Sequence, residues 1–353
     1  MLVVIILAVA LWVFGGLMGV PRATRSMMLA ILYVAVLIIQ ITLPAGTPLR
    51  MATGDSPAPW LILGGFTGLI FLYRRLLAAL RRRADVKEAA AQPIAPKPGF
   101  SDAELNRYAR HIVLREIGGP GQKKLKEAKV LVIGAGGLGA PALQYLAASG
   151  VGTIGVIDDD IVENTNLARQ VIHKDKAIGM HKVFSAQAEM LEQNPHVKVR
   201  PYQRRLTEDI ASDLFADYDL VLDGTDNFDT RYLVNRVAVE QKIPLVSGAL
   251  SQWEGQLSVF DPAHGAPCYQ CIFSQAPAAE LAPSCAEAGV LSPLPGVIGA
   301  MMAVEAVKIV TGAGTALRGQ MVIYDALYGE SRTIAITPRV DCPICGDMRA
   351  QTA

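Results

Sequence analysis

The stretch Leu131–Gly139, LVIGAGGLG, places glycines directly after a run of apolar residues and before a helical pattern. Gly134, Gly136 and Gly139 match the G-x-G-x-x-G template, and Asp158 ends the next apolar run, where an acid can bond ribose hydroxyls. Such a turn exposes backbone N–H groups at the positive end of a helix dipole. The stretch therefore predicts a nucleotide cradle, and taken alone the template favours NAD or FAD over helix–strand packing without a ligand.

From about residue 101 onward, short apolar runs alternate with helical patterns, which predicts the α/β class. We expect a Rossmann-like, mixed but mostly parallel sheet with helices on both faces. Ser101 and Glu104 have the spacing of a capping box at the first helix. The expected strands are 129–134, 153–158, 197–202, 220–223, 244–247, 255–260 and 320–324, and the expected helices are 140–148, 181–192 and 227–240. Ligands of such a sheet bind at the carboxyl ends of its strands.

Polar side chains of the segment after the second predicted strand point to ATP instead of NAD. ENTNLARQ contains Asn166 and Arg169, and GMHK places Lys182 at the start of the next helix. Arginine can grip a phosphate with two hydrogen bonds, and lysine acts as a point charge. Two cations and an amide near the glycine turn suit a triphosphate, although each cation taken singly is more typical of a solvated surface.

Acidic residues follow the strand at Leu220 in the sequence LVLDGTDN. Asp223, Asp226 and Asn227 lie where carboxylates beside a triphosphate are natural ligands for Mg²⁺, directly or through water. A redox enzyme has no need of that metal. The alternative is that Asp226 caps the helix that starts near Asn227, and one residue can do both.

Two C-x-x-C pairs predict a metal site in the soluble part of the chain. CYQC contains Cys268 and Cys271, and CPIC contains Cys342 and Cys345. Four thiolates form a tetrahedral zinc site, and the long span between the pairs requires the fold to bring them together. The alternative is two redox dithiols.

The fifth cysteine of the chain lies outside this set. Cys285 belongs to the loop sequence APSCAEAGVLSPLPGVIG, which is rich in small residues and prolines. A lone thiol in a loop is a candidate nucleophile. A small, partly buried apolar role is equally compatible with the sequence.

The first 83 residues predict a membrane anchor with about three transmembrane helices, at 2–20, 27–44 and 60–77. Spanning a bilayer takes roughly 20 apolar residues, and the third run is short unless its flanking arginines snorkel. A signal peptide is the alternative for the first run, but that run lacks a basic leading region and a small-x-small cleavage site. Residues 84–100, rich in alanine and proline, predict a semi-rigid linker.

Basic residues indicate the orientation of this anchor. Arg22 and Arg25 lie in the first short loop, and Arg74 and Arg75 begin an arginine cluster that follows the third run. Because basic residues stay on the cytoplasmic side, we expect an inner, or cell-membrane, multi-pass protein whose catalytic domain is cytoplasmic. The cluster also lies where anionic lipid headgroups would attract it.

Together these motifs resemble the ThiF/MoeB/HesA family, adenylyltransferases that activate sulfur-carrier proteins and are related to ubiquitin-activating enzymes. The resemblance covers about residues 100–348, and the ordered motifs that carry it are RYARHI, GAGGLG, DDD…NLARQ, GMHK, DGTDN, CYQC, SCAEAGV and CPIC. It implies a ThiF-type adenylating domain over 101–348 that uses ATP, Mg²⁺ and Zn²⁺ and forms a homodimer with two nucleotide sites.

The resemblance also assigns roles to individual residues. Gly136, Gly137 and Asp158 would hold the adenosine and its ribose, while Asn166, Arg169 and Lys182 would hold the triphosphate and Asp226 would organise Mg²⁺. By position, Arg110 resembles the arginine that reaches the triphosphate from the partner subunit. Cys285 matches the thiol that can take a thioester or acyl-persulfide link, a role that is not always required in the molybdopterin branch.

The reaction that the resemblance implies is acyl adenylation of a small sulfur-carrier protein ending in Gly-Gly, as in molybdopterin or thiamine biosynthesis. The apolar stretch 290–297 and the zinc lobe could frame a groove for the tail of that carrier. The membrane spans depart from the family pattern. We expect the sulfur to come from a separate donor protein, since CPIC is not followed by a rhodanese-like domain.

Other functions remain as alternatives to this interpretation. A nicotinamide-dependent oxidoreductase would not use Arg169, Lys182 or Asp226, and a non-catalytic membrane scaffold would have no use for those charges. A variant that modifies tRNA is disfavoured because the formal net charge is +1 and no basic patch is evident. We therefore expect no nucleic-acid partner.

Overall fold

The computed structural model describes residues 2–90, 99–276 and 288–347, and the chain divides into two compact units. One unit comprises Met1–Pro98 and the other Gly99–Ala353. The boundary between them falls within the stretch 84–100 that the sequence predicts to be a linker.

The first unit consists of helices. Val4, Val36 and Trp60 are buried together, whereas most of its other large apolar side chains are exposed. Three described helices are long and apolar enough to cross a membrane, and two of them, Thr24–Thr42 and Ala58–Leu77, belong to this unit. The predicted span 2–20 forms an apolar helix of 16 residues. The helices are α1 (Leu2–Leu17), α2 (Arg22–Thr42), α3 (Pro48–Thr53) and α4 (Ala58–Ala90).

Helix α4 extends into the stretch predicted to be a linker. It continues to Ala90, so the linker does not start at residue 84. Residues 81–90, RRRADVKEAA, are mostly good helix formers, and the first proline after them is Pro93. The remainder of the predicted linker, 91–98, lies outside the described residues.

The second unit contains an eight-stranded sheet in the order β3-β2-β1-β4-β5-β6-β7-β8. The first five strands in this order are parallel, and β6, β7 and β8 join in antiparallel fashion. The predicted α/β class and the mixed, mostly parallel sheet are confirmed. The strands are β1 (Lys129–Ile133), β2 (Thr153–Ile157), β3 (Lys198–Tyr202), β4 (Leu220–Asp223), β5 (Leu245–Leu250), β6 (Glu254–Phe260), β7 (Gln320–Asp325) and β8 (Glu330–Ala335).

Strand β8 is additional to the seven strands expected from the sequence. All six of its residues are exposed, and it pairs with β7 at the edge of the sheet. A solvated edge strand does not need the apolar alternation by which strands are recognised. Its sequence, ESRTIA, therefore carries little signal.

Helices cover both faces of the sheet. Leu143, Met190 and Met302 belong to the core on one face, and Phe215 and Val234 belong to the core on the other. The capping box predicted at Ser101 is present at the first helix. The helices are α5 (Asp102–Arg107), α6 (Ala109–Ile112), α7 (Gly118–Glu127), α8 (Gly139–Ser149), α9 (Lys182–Gln193), α10 (Glu208–Phe215), α11 (Phe228–Glu240), α12 (Tyr269–Ile272) and α13 (Leu294–Thr311).

Helix α13 is the third described helix with the length and hydropathy of a membrane span. Half of its residues, 50%, are buried within the protein, and it packs against α8, β5 and β6. We therefore interpret α13 as a core helix. Its first turn brings Pro295 close to Gly137 of the glycine loop, where an added Cβ would lie 3.2 Å from the proline ring.

Candidate active site

The glycine loop begins where β1 ends, at the point where the strand order reverses. Gly134 has a φ of +90°, a left-handed conformation that favours glycine. A Cβ on Gly139 would collide with the carbonyl oxygen of Gly134, so this glycine permits the helix to start close to the strand. Gly136 and Gly137 line the cleft above, whereas Gly139 is buried beneath it. The structure thus gives Gly139 a packing role in place of the predicted ligand contact.

A cleft of about 1360 Å³ opens at the carboxyl ends of β1, β2 and β4. This position agrees with the rule for ligand sites in open α/β sheets. Residues from segments far apart in the chain meet in its wall. The predicted residues that line it are Gly134, Gly136, Gly137, Asp158, Asn166, Arg169, Lys182, Asp226 and Asn227.

Asp158 connects the end of β2 to the glycine loop. Its Oδ2 accepts a hydrogen bond from the Ala135 N–H at 2.8 Å, and its Oδ1 accepts one from the Asp160 N–H at 2.8 Å. Burial raises the pKa of Asp158, and the nearby charge of Lys182 opposes that shift. Each oxygen accepts one hydrogen bond and keeps a second lone pair, and Asp158 lines the cleft, so the carboxylate can still accept a ribose hydroxyl.

A buried histidine that the sequence did not single out supports the same loop from below. The Nε2 of His173 lies 2.9 Å from the Ala135 carbonyl oxygen, and its Nδ1 lies 2.9 Å from Ser185 Oγ. The carbonyl can only accept, so Nε2 carries the proton and Nδ1 accepts from the serine hydroxyl. Burial lowers the pKa of His173, which favours this neutral form.

The cations of the cleft have specific local partners. Lys182, which is 6% exposed, donates from Nζ to Asp160 Oδ2 at 2.7 Å. Arg169 donates to the Thr165 carbonyl oxygen at 2.9 Å, and this leaves other guanidinium donors available. Gln170 also lines the cleft, and its buried Oε1 has no hydrogen-bond partner among the described residues. The wall therefore combines donors with an unused acceptor.

The loop after β4 bears on the two roles that the sequence left open for Asp226, a ligand of Mg²⁺ or the cap of a helix, because another residue caps α11. The Asn227 side chain caps α11 by accepting a hydrogen bond from the Thr230 N–H at 2.8 Å. Asp226 is exposed, and no hydrogen bond or ion pair joins its carboxylate to any described residue. The alternative that Asp226 caps the helix is therefore wrong, and its carboxylate is available to a ligand.

Asp223 does not line the cleft. The sequence alone did not separate its role from that of Asp226. It is 1% exposed, and its Oδ1 accepts hydrogen bonds from the Thr225 N–H and hydroxyl at 2.9 and 2.7 Å. Its Oδ2 lies 3.8 Å from the Arg231 guanidinium. Arg231 was not predicted from the sequence; it is 5% exposed and lines the cleft. Asp223 thus belongs to a buried ion pair instead of a metal site.

Two predicted residues lie apart from this cleft. Arg110 is exposed on α6 and does not line the cleft of its own chain. Cys285 lies in residues 277–287, outside the described residues. Arg204 and Arg205, which follow β3, line the cleft without having been predicted, because no motif marks them.

The four remaining cysteines form a compact cluster, the four-cysteine knot. All four sulfur atoms lie within 4.8 Å of one another, and the nearest pairs are 3.4, 3.5 and 3.8 Å apart. Sulfurs at about 2.3 Å from one tetrahedral metal ion are separated by about 3.8 Å, so the arrangement fits such an ion. The knot comprises Cys268, Cys271, Cys342 and Cys345.

Burial also sets the protonation of thiols in the knot. Burial, with neighbouring sulfurs, raises the pKa of the Cys268 thiol. Burial likewise raises the pKa of Cys345 to about 12. Without a cation these thiols keep their protons, whereas a metal ion would deprotonate them.

Comparisons with known proteins agree with the fold and show the family. The model of the ThiF family matches residues 108–344. The sulfur carrier protein adenylyltransferase of Thermus thermophilus is 47% identical over 256 residues, 71% of this chain and 94% of that protein. The SAMP-activating enzyme E1 of Haloferax volcanii is 46% identical over 244 residues, 69% of this chain and 90% of that protein. The crystal structure of E. coli MccB with ATP has a TM-score of 0.60 and 24% identity, covers 70% of this chain and 75% of that chain, and shows the shared fold alone.

Proposed function

The chain belongs to the ThiF family, and from this premise we propose that it is an ATP-dependent adenylyltransferase for the C-terminal glycine of a small, ubiquitin-like sulfur-carrier protein. The observation that carries the proposal is the exposed carboxylate of Asp226, which has no polar partner among the described residues and lines the same cleft as Arg169 and Lys182 in the loop after β4. A carboxylate in that position serves Mg–ATP and has no function in hydride transfer.

The chemical step is a substitution at the α-phosphorus of ATP. A carboxylate oxygen of the terminal glycine attacks this phosphorus, the bond to the bridging oxygen of the β-phosphate breaks, and pyrophosphate leaves with the electron pair. The product is a mixed anhydride, the acyl adenylate. A carboxylate is already ionised at neutral pH, so no general base is required. This agrees with the absence of a histidine from the described lining of the cleft.

Residues of the cleft supply position and charge. The N–H groups around Gly136 and Gly137 approach the phosphates at the start of α8, and Asp158 accepts a ribose hydroxyl. Lys182 exchanges its bond to Asp160 for a phosphate oxygen, and Arg169 adds a second cation. Asp226 would hold the Mg²⁺ that accompanies ATP, and that ion would supply positive charge beside the phosphates. Fixed charges of this kind stabilise the charge that develops during the substitution.

The four-cysteine knot supports a second proposal, that it holds a structural zinc ion. Four thiolates close the tetrahedral shell, so the site would keep no open position for a substrate. The expected result is about one zinc ion per purified chain. Cys342→Ser would lower both the zinc content and the melting temperature, and a metal-free chain of unchanged melting temperature would contradict the proposal.

The apolar helices support a third proposal, that the first unit anchors the chain in the cell membrane as a multi-pass protein with a cytoplasmic catalytic unit. Windows Thr24–Thr42 and Ala58–Leu77 have mean hydropathies of 1.9 and 1.3 and are 11% and 6% buried. The full chain should stay with membranes in alkaline carbonate. Release into the soluble fraction would contradict the anchor.

A homodimer with Arg110 reaching the partner's cleft is the fourth proposal. Arg110 is exposed and lies outside the cleft of its own chain. Mixing two inactive variants, Arg110→Ala and Asp226→Ala, should restore activity, since one cleft of a mixed dimer would have both residues intact. If the two variants form mixed dimers but the mixture stays inactive, this role of Arg110 is contradicted.

Carrier-dependent exchange of pyrophosphate into ATP tests the proposed activity. The full chain in detergent would be assayed with Mg²⁺ and a panel of small carriers ending in Gly-Gly. We expect exchange with one carrier, and no exchange with the same carrier lacking its last glycine. No exchange with any carrier, together with tight binding of NAD, would favour an oxidoreductase. Exchange that requires tRNA would favour the nucleic-acid variant.

A further inference from the structure

Arg231 is a buried cation that the proposed chemical step does not use. It projects from the first turn of α11 beneath the loop that carries Asp226. Its Nη2 donates to the carbonyl oxygens of Thr225 and Gly248, the latter at 2.7 Å, and its Nη1 donates to Ser247 Oγ at 3.1 Å. One guanidinium therefore joins the loop after β4 to strand β5.

The same helix reaches the four-cysteine knot one turn later. Asn235 Oδ1 accepts a hydrogen bond from the backbone N–H of Tyr269 at 2.8 Å. Tyr269 lies within the CYQC motif, and its ring also lines the cleft. Helix α11 thus contacts the active-site loop through Arg231 and the CYQC segment, which carries two cysteines of the knot, through Asn235.

These contacts hold the backbone of the residue that precedes Asp226. Asp226 directly follows Thr225, whose carbonyl oxygen is held by Arg231 and whose N–H and hydroxyl are held by Asp223. The carboxylate itself has no partner among the described residues, so its direction depends on the backbone on which it stands. Asp223 and Arg231, which are 1% and 5% exposed, supply that backbone with an acceptor and a donor.

We propose that Arg231 is a positioning residue that holds the Thr225 carbonyl, and so aims Asp226 at the magnesium ion of Mg–ATP. The proposal rests on the proposed function. An arginine fits this role because its planar fork reaches several acceptors at once, whereas a lysine offers one compact charge. Misplacement by about 1 Å of a group that positions a substrate can cost roughly 100-fold in rate.

The competing explanation is that Arg231 only neutralises Asp223. Removal of either charge alone leaves the other buried without a partner, which destabilises the fold by itself. The double variant Arg231→Met with Asp223→Asn removes both charges, and asparagine keeps the Oδ1 that accepts from Thr225. Arg231→Lys is the second variant, since it keeps the charge and loses the fork.

The test measures the melting temperature, the Mg²⁺ concentration for half-maximal exchange, and the exchange rate, all with the full chain. We expect the double variant to melt near the wild type, to need at least roughly tenfold more Mg²⁺ and to exchange roughly 100-fold more slowly. Arg231→Lys should show the same shift in Mg²⁺ dependence. Arg236→Met is the matched control, because Arg236 lies on the surface of the same helix and pairs with the exposed Glu208 at 2.7 Å.

One result would contradict the positioning role of Arg231, and a different result would contradict the proposed function. Wild-type Mg²⁺ dependence and exchange rate in the double variant, or in Arg231→Lys, would mean that Arg231 serves only as a counter-charge. A wild-type chain that neither binds Mg–ATP nor exchanges pyrophosphate would instead overturn the proposed function itself.

Discussion

Two aspartates three residues apart, one at the end of β4 and one in the loop that follows, lie in opposite environments. Asp226 is exposed at the edge of the cleft and has no polar partner among the described residues. Asp223 is 1% exposed, accepts two hydrogen bonds from Thr225 and faces Arg231. The same side chain thus serves a ligand in one place and the protein's own backbone in the other.

This contrast extends to two sets of residues. Members of the first set line the cleft with donors or acceptors that remain available, whereas members of the second are buried and hold the protein's own loops by hydrogen bonds. We name these sets the cleft rim, Asp158, Arg169, Lys182 and Asp226, and the under-layer, His173, Asp223 and Arg231. Substitutions in the rim should lower activity at nearly constant stability, whereas single substitutions in the under-layer should lower stability, whether or not they also lower activity.

The largest effect is expected in the rim. Asp226→Ala should lower the carrier-dependent exchange rate on the order of 1000-fold, as losses of fixed transition-state partners do, with a change of at most about 0.5 kcal/mol in unfolding free energy. Exchange assays and thermal melts of both proteins provide the check. Asp229→Ala is the matched control, because Asp229 is exposed in the first turn of α11. Exchange that survives in Asp226→Ala would remove the basis for the contrast.

The under-layer should respond in the opposite way. Asp223→Ala leaves Arg231 buried without its counter-charge, and we expect the unfolding free energy to fall by about 3–5 kcal/mol. Denaturant unfolding measures this loss. Asp217→Ala provides the comparison, because Asp217 forms an exposed ion pair with Arg200 at 3.0 Å. Equal stabilities of the two variants would contradict the assignment of Asp223 to the under-layer.

Lower pH should weaken the under-layer through His173. Burial lowers the pKa of His173 in the folded state, so the unfolded chain takes up the proton first as the pH falls. Stability is therefore fully present above about pH 6.5, the ordinary value for histidine, and decreases below it by up to about 1.4 kcal/mol per pH unit until the folded histidine protonates. Melting temperatures between pH 5 and 8 should show a smaller slope in His173→Gln. Equal slopes in both proteins would exclude His173 as the source.

The smallest effect concerns the neighbour of Asp226. Asn227→Ala removes the cap of α11 and should cost about 1 kcal/mol of unfolding free energy. Exchange should decrease far less than in Asp226→Ala, because the cap acts on the helix and not on the substrate. Asn227→Asp, which keeps a capping oxygen, should restore stability. A loss of exchange equal to that of Asp226→Ala would assign both residues to the rim.

Sequence alone predicted the rim better than the under-layer. Asp158, Lys182 and Asp226 follow strand ends or start helices, and the carboxyl ends of parallel strands meet at one edge of a sheet. Arg231 and His173 carry no such signal, since their partners lie on other strands and loops that only the fold brings near. The separation of Asp223 from Asp226 likewise depends on which way each side chain turns after β4.

The apolar helices also show what the sequence alone cannot predict. Thr24–Thr42 and Leu294–Thr311 have mean hydropathies of 1.9 and 1.6, yet 11% of the first and 50% of the second is buried within the protein. Composition and length do not distinguish a membrane span from a core helix, and packing against α8 and the sheet does. Strand β8 was not predicted because an exposed edge strand needs no apolar pattern.

The most direct test of the proposed adenylation follows an oxygen atom of the carrier. A carrier whose C-terminal carboxylate is labelled with ¹⁸O would be incubated with the full chain and Mg–ATP, and the acyl adenylate would then be cleaved by a thiol at its acyl carbon. Attack by the carboxylate on the α-phosphorus predicts AMP that contains one ¹⁸O atom. Unlabelled AMP, or label in inorganic phosphate, would contradict adenylation of the carrier in this cleft.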